Sequence, residues 1–269
     1  MYKFISSKDN QQLKLYASLH DSKKASKLGL VFIEGVRLCE DCLTSGIIPK
    51  VLIFTTKQKT AIDDLKAKYS LTDEIEYVEL TDDCFNKLAS TVNPQGIAMV
   101  IEKASCNIVK ADSSVTLPVR NGKNIYVVLE NLQDPGNLGT ILRMADAFSF
   151  TSVLMTSNSV DPFNEKVLRA SMGSVWHLPV LIYDDIDSIC NALDKAGVNK
   201  YAAHLKGTDL RENEFVFPAA FFIGNEGKGL TDFASDKCDY KIKIPMPGKA
   251  ESLNAASAAS IIGYLMSVQ

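Results

Sequence analysis

Residues 244–254 read IPMPGKAESLN, and this stretch decides how the C-terminal half of the chain is read. A kinked Pro/Gly loop runs into residues 251–266, ESLNAASAASIIGYLM, a helical pattern with Ala and Ser wherever a second backbone needs close approach. Two other loops share its character. Residues 134–143, DPGNLGTILR, follow the apolar run IYVVL at 125–129 and open a helix. Residues 224–230, GNEGKGL, follow the apolar run FFI at 221–223. In each case the end of a buried strand meets a loop of Gly, Asn and Glu, where open α/β sheets bind ligands.

Periodicity supplies the frame around these loops. In the first hundred residues, strands near 30–33, 51–54, 75–78 and 97–101 alternate with helices near 9–19, 36–44, 57–69 and 82–90, a small α/β sandwich. Residues 105–122 lose periodicity and gather Ser, Asp, Pro, Asn and Gly, so a linker is placed there between domains 1–104 and 123–269. Beyond it, strands near 125–129, 152–155, 178–181, 200–204, 219–223 and 240–244 alternate with helices near 138–148, 163–172, 186–196 and 252–266. Pattern alone predicts a doubly wound parallel sheet.

Composition excludes several classes. With 269 residues and 46% hydrophobic content the chain can bury two cores. No apolar run approaches the ~20 residues that span a bilayer, and MYKFISSKDNQQ lacks the apolar centre of a signal peptide, so a cytoplasmic protein is expected. The six cysteines are scattered. Cys39-Glu-Asp-Cys42 lies inside a helical pattern with no second pair at zinc-ribbon spacing, which points to buried thiols and no metal. His20, His177 and His204 have no triad-like partners and read as packed or surface residues. No GxGxxG opens a strand–helix unit, and Gly227-Lys228 is followed by Gly229, which rules out a P-loop. The net charge is −3, yet residues 1–37 hold seven basic side chains against three acidic ones. Lys8, Lys14, Lys23, Lys24, Lys27 and Arg37 belong to that cluster, which reads either as a phosphate-tracking surface or as a solvated helix and turn.

Three ordered elements carry a family resemblance. They are Asn137-Leu-Gly139 with Arg143, Gly224-Asn-Glu226-Gly227-Lys-Gly229, and Ile244-Pro-Met246 with Ser252-Leu253-Asn254. Their order and spacing resemble the SpoU (TrmH-like) RNA ribose 2′-O-methyltransferases over about residues 124–269. The first hundred residues resemble the small substrate-binding domain that precedes the catalytic domain in many members, through LVFIEG at 30–35 and NPQGIAMV at 93–100. Lys23, Lys24 and Lys27 stand where members often carry arginines; lysine neutralises phosphate without the bidentate fork.

The resemblance implies a SPOUT-type parallel-sheet domain closed by a deep trefoil knot, a threading that periodicity does not reveal and that is rare as a prior. It implies methyl transfer from S-adenosylmethionine to a ribose 2′-hydroxyl, with ribosomal RNA the first substrate, transfer RNA the alternative, and no metal. A non-catalytic RNA-binding or assembly protein keeping the fold is the other class left open. A homodimer with its active site near the subunit interface is implied as well. Cofactor contacts map onto backbone atoms at Gly224, Ile244 and Leu253, with Asn225, Gly227 and Met246 close by.

Arg143 matches the residue that the family treats as catalytic, with Asn137, Glu226, Ser252 and Asn254 as polar partners. An arginine is effectively always protonated, so accepting a proton needs unusual desolvation or a bridging phosphate. The alternative is a cation that clamps phosphate and stabilises the developing alkoxide. With Asn137 starting the helix, Arg143 is expected nearly two turns on, close to Asn137's face. Glu226 is expected to pair with a loop or with a cation, and Asn254 to serve the site or only to cap a helix. Arg169, in RASMG at 169–173, either contacts RNA or makes a structural ion pair.

Overall fold

Caps and buried apolar runs divide the first hundred residues into β1 (Lys3–Ile5), α1 (Gln11–Ala17), α2 (Ser22–Leu28), β2 (Leu30–Glu34), α3 (Val36–Thr44), β3 (Val51–Thr55), α4 (Lys59–Tyr69), β4 (Glu76–Leu80), α5 (Asp82–Leu88) and β5 (Ile97–Glu102). The structure is a computed structural model and describes residues 2–112 and 114–269. It divides into two compact units between Cys106 and Asn107. In the first unit the strands form one mixed sheet, ordered β1-β4-β3-β5-β2. β4 is parallel to β1 and β3, whereas β5 runs antiparallel to β2 and β3.

Leu13, Ile53, Val78 and Leu80 are completely buried in its core, each burial contributing roughly 1.5–3 kcal/mol. β1 and α2 lie outside the elements expected from pattern. The α2 sequence SKKASKL buries only Ala25, so its ends define it: Asp21 caps the first turn and Gly29, at φ 66°, stops the last. Cys39 and Cys42 are buried free thiols on α3, and burial pushes both thiols well above their ordinary range.

The second unit contains β6 (Ile108–Lys110), β7 (Ile125–Leu129), α6 (Pro135–Ala147), β8 (Ser152–Thr156), α7 (Glu165–Ser171), β9 (Val180–Tyr183), α8 (Ile186–Lys195), β10 (Asn199–Asp209), β11 (Ala219–Ile223), α9 (Asp232–Asp236), β12 (Tyr240–Lys243) and α10 (Ala255–Val268). Its strands are ordered β12-β10-β11-β7-β8-β9-β6, and every pairing is parallel. β6 falls within residues 105–122, the segment read as linker, and pairs with β9 at the sheet edge.

The chain leaves β7 towards β8 and β9, then returns to lay β11 on the other side of β7. That reversal is the switch point where doubly wound sheets open a crevice. Because β7 and β11 are parallel neighbours, the loops that follow them leave from the same end of the sheet. Both strands are buried along their whole length, which fixes those exits rigidly. On one face α6 packs tightly against α7: a Cβ added at Gly139 would lie 2.4 Å from that of Ala170.

Candidate active site

α6 begins one turn earlier than expected. Asp134 is its N-cap, with Oδ1 accepting the Asn137 amide at 2.8 Å, and Pro135 occupies the first helical turn. Asn137 is therefore in the first turn, buried, with its carboxamide aimed at the other two loops. Its Nδ2 donates to Glu226 Oε1 at 3.0 Å, and its Oδ1 accepts from Asn254 Nδ2 at 2.9 Å. One side chain thus links all three polar loops of the unit.

Among the described residues Glu226 pairs with a loop and with no cation. Oε1 also accepts from the Asp134 amide at 2.8 Å and Oε2 from the Gln133 amide at 3.1 Å. Burial on its own would raise this carboxyl. The donors from Asn137, Asp134 and Gln133 outweigh it and hold the group below the usual glutamate range. Asn254 caps a helix and also joins two loops: Oδ1 caps α10 through the amides of Ala256 and Ser257, while Nδ2 reaches Asn137.

The GNEGKGL loop is built by its own polar atoms. Asn225 and Gly229 exchange backbone hydrogen bonds of 3.0 and 2.8 Å, closing the turn. A Cβ at Gly224 would lie 2.1 Å from the Gly229 carbonyl carbon and from the Leu230 nitrogen, so only glycine permits this closure. The Asn225 carboxamide is consumed here, its Oδ1 accepting from the amides of Gly227 and Lys228 and its Nδ2 donating to Asn131 O. A second carboxylate, the buried Glu130 at the end of β7, accepts the amide and hydroxyl of Thr231 and ties the far end of the loop to the sheet.

Residues 244–253 supply a different surface. Among the described residues, the backbone groups of 245–253 make no hydrogen bond. Ile244, Pro245 and Met246 are half-buried, and Leu253 is 39% exposed. Apolar side chains beside unpaired backbone donors and acceptors suit an adenine ring and its ribose, so the residues present fit S-adenosylmethionine. Ser252 is exposed and makes no hydrogen bond among the described residues.

Arg143 is not on Asn137's face. Six residues turn an α-helix by about 600°, which leaves the two side chains roughly 120° apart and about 9 Å apart along the axis. Asn137 is accordingly buried, while Arg143 shares the exposed face with Gly136, Thr140 and Ala147. Arg143 forms no hydrogen bond or ion pair among the described residues. Arg169 lies on α7 with Glu165 3.5 Å away.

In the first unit the expected RNA-facing cations divide into two sets. Lys8 and Lys14 are drawn to Asp83 at 3.8 Å and Asp9 at 3.2 Å. Lys23, Lys24, Lys27 and Arg37 are exposed and form no ion pair among the described residues. Among the described residues no group of His, Cys, Asp and Glu side chains could hold a metal ion, and no helix is long and apolar enough to cross a membrane.

Sequence reasoning passed over Gln133, Asp134, Glu130 and the pairing of His177 with Asp146. Asp134 was within reach, since Asp-Pro-Gly before an apolar-periodic run is a helix-start signature. The others are tertiary pairings with no local signal.

Comparison with known proteins agrees with this geometry. A model described as the SpoU rRNA Methylase family matches residues 124–264, and one described as the MRM3-like substrate binding domain matches residues 10–99. The 23S rRNA (guanosine(2553)-2'-O)-methyltransferase RlmP of Bacillus subtilis is 33% identical over 97% of this chain and 98% of its own length. An uncharacterized tRNA/rRNA methyltransferase of Synechocystis is 31% identical over 97% of this chain and 92% of its own. The AdoMet-bound rRNA methyltransferase from Sinorhizobium meliloti superposes with a TM-score of 0.83 at 27% identity, covering 98% of this chain and 96% of that one. With its three motif loops joined through Asn137 and residues 124–264 matched by the family model, the chain belongs to the SpoU rRNA methylase family.

Proposed function

We propose that this protein transfers a methyl group from S-adenosylmethionine to the 2′-hydroxyl of a ribose in ribosomal RNA. The observation that carries the reading is the Glu226–Asn137–Asn254 chain, which gathers the three loops at the switch point of a SpoU sheet. The similarity to an rRNA 2′-O-methyltransferase along nearly the whole chain supports ribosomal over transfer RNA.

When bound, the cofactor supplies an electrophilic methyl on a sulfonium. The chain's residues do the rest. The backbone of 245–253, unpaired among the described residues, and the GNEGKGL turn would hold adenine and ribose, with Ile244, Met246 and Leu253 as apolar walls. Glu226, Asn137 and Asn254 hold these loops in one geometry, so that positioning is fixed before substrate arrives. Arg143 acts from the open face of α6 as a cation, clamping an RNA phosphate and stabilising charge on the ribose oxygen, whose proton passes to the clamped phosphate or to water as the methyl group arrives. Ser252, exposed at the mouth of the loop, orients the incoming ribose. In the first unit Lys23, Lys24, Lys27 and Arg37 track the RNA backbone.

The same reading takes the protein to be a cytoplasmic homodimer. The dimer is supported by the exposed apolar stripe Ile261, Tyr264 and Val268 along α10, with Phe148 beside Tyr264 at 5.8 Å between ring centres. The trefoil threading of the last segment belongs to this reading too, and the small Ala255 and Ala256 at the start of α10 favour it. Labelled methyl transfer to rRNA by wild-type and Arg143→Ala proteins tests the function. Near-normal transfer by the variant would remove Arg143 from the mechanism, and absence of any transfer by the wild type would favour an RNA-binding assembly role.

A further inference from the structure

α6 carries a second polar pairing, away from the cluster that joins the loops. His177, just past the short 3-10 turn Ser174–Trp176, has its Nδ1 2.8 Å from Oδ2 of Asp146. Asp146 stands three residues beyond Arg143 on the same helix, a spacing that brings Cβ atoms within about 5–6 Å. Arg143 also lies, along the axis, between Gly139, which faces Ala170, and Asp146, which faces His177. It therefore borders the line on which the segment from α7 to His177 runs past α6.

Asp146 is thus the near anion for Arg143 on its own helix, yet it is held by His177, and Arg143 is left without an ion pair among the described residues. A guanidinium closed on Asp146 would have its charge offset and part of its donor fork occupied. Such a group could not grip a phosphate in the same geometry.

We propose that His177 is a positioning residue: by holding Asp146 it keeps that carboxylate off Arg143 and leaves the guanidinium open for RNA. The proposal rests on the reading of Arg143 given above, and neither His177 nor Asp146 has to touch RNA or cofactor.

Single-turnover methyl transfer at saturating RNA tests it, comparing wild type, His177→Ala, Asp146→Asn and the double variant, with cofactor affinity as the control for folding. His177→Ala is expected to slow transfer roughly two- to fivefold, about what an exposed ion pair can do to a population. The deficit should shrink as salt is raised, because the competing Asp146–Arg143 pair is screened. Adding Asp146→Asn should restore the rate, and Asp146→Asn alone should stay near wild type. A double variant no faster than His177→Ala, a salt-independent deficit, or no deficit at all would overturn the proposal. If His177→Ala does not bind cofactor, Asp146→Asn alone decides, since a clear loss of rate there contradicts the idea. Arg143→Ala is assayed alongside: an active Arg143→Ala protein refutes the role of Arg143 itself, whereas an inactive one with unaffected His177→Ala refutes only this inference.

Discussion

Asn254 donates its Nδ2 proton to Oδ1 of Asn137 at 2.9 Å, joining residues 117 positions apart in the chain. The same Asn254 caps α10 with its other atom, so one side chain starts the last helix and locks it to the first polar loop.

Two substitutions separate those jobs. Asn254→Asp keeps a capping oxygen but cannot donate to Asn137, whereas Asn254→Ala loses both. The alanine variant should be less stable by about 2 kcal/mol, combining a lost cap with an unpaired buried oxygen. The aspartate variant should lose less stability but still lose activity. Thermal unfolding and methyl-transfer rates, measured on both, check this; equal activity for Asn254→Asp and wild type would detach the link from the function.

Glu226 makes the loop cluster sensitive to acid. Its carboxyl is held below the usual glutamate range in the folded protein, so its contribution is fully present above the unfolded-chain value. That contribution is lost as pH falls through the glutamate range and then through the lower folded value. The difference in melting temperature between wild type and Glu226→Gln should therefore be largest near neutrality and close up in acid. A difference that is constant with pH would contradict the assignment.

Gly139→Ala opposes two effects of known size. Alanine favours a helix interior over glycine by roughly 0.5–1 kcal/mol. The added Cβ would, however, meet Ala170 at 2.4 Å and the Val167 carbonyl oxygen at 2.9 Å, and overpacking of this kind costs about 1–3 kcal/mol. The clash should win, and the variant should melt lower. A stabilised variant would mean that α7 can move away from α6 freely.

The two sets of cations should behave differently in RNA binding. Removing any of Lys23, Lys24, Lys27 or Arg37 should weaken binding and flatten the dependence of log K on log salt by roughly 0.7–0.9 for each lost phosphate contact. Lys8 and Lys14, already drawn to Asp83 and Asp9, should change it little when replaced. Uniform effects across all six would show that pairing in the free protein does not select the RNA surface.

Much of the fold was legible, because β7 and β11 are five-residue apolar runs and β8 has an apolar centre, all three stay buried throughout, and they end on Gly-, Asn- or Ser-bearing loops. The three site loops were legible for the same reason, since strained or polar chemistry at a strand end stands out against its neighbours. Apart from α2 and the Asp134 cap, which carry local signals, what escaped depends on a distant partner. β1 is three residues with two exposed side chains, and only its register against Val78–Leu80 makes it a strand. β6 was hidden in a polar segment for want of its partner β9. The orientation of Arg143 needed only a count of helical angle, once Asp134 was taken as the first cap. The His177–Asp146 pairing has no such shortcut, since it depends on where the segment after α7 returns to α6.

The most direct measurement is the chemical position of methyl groups added to rRNA by the purified protein with S-adenosylmethionine. The expected result is one ribose that resists alkaline cleavage at its 3′ side, formed by the wild type and lost in both Arg143→Ala and Asn254→Asp. A methyl group on a base, or a modified ribose that forms equally well in both variants, would contradict a site assembled from these three loops.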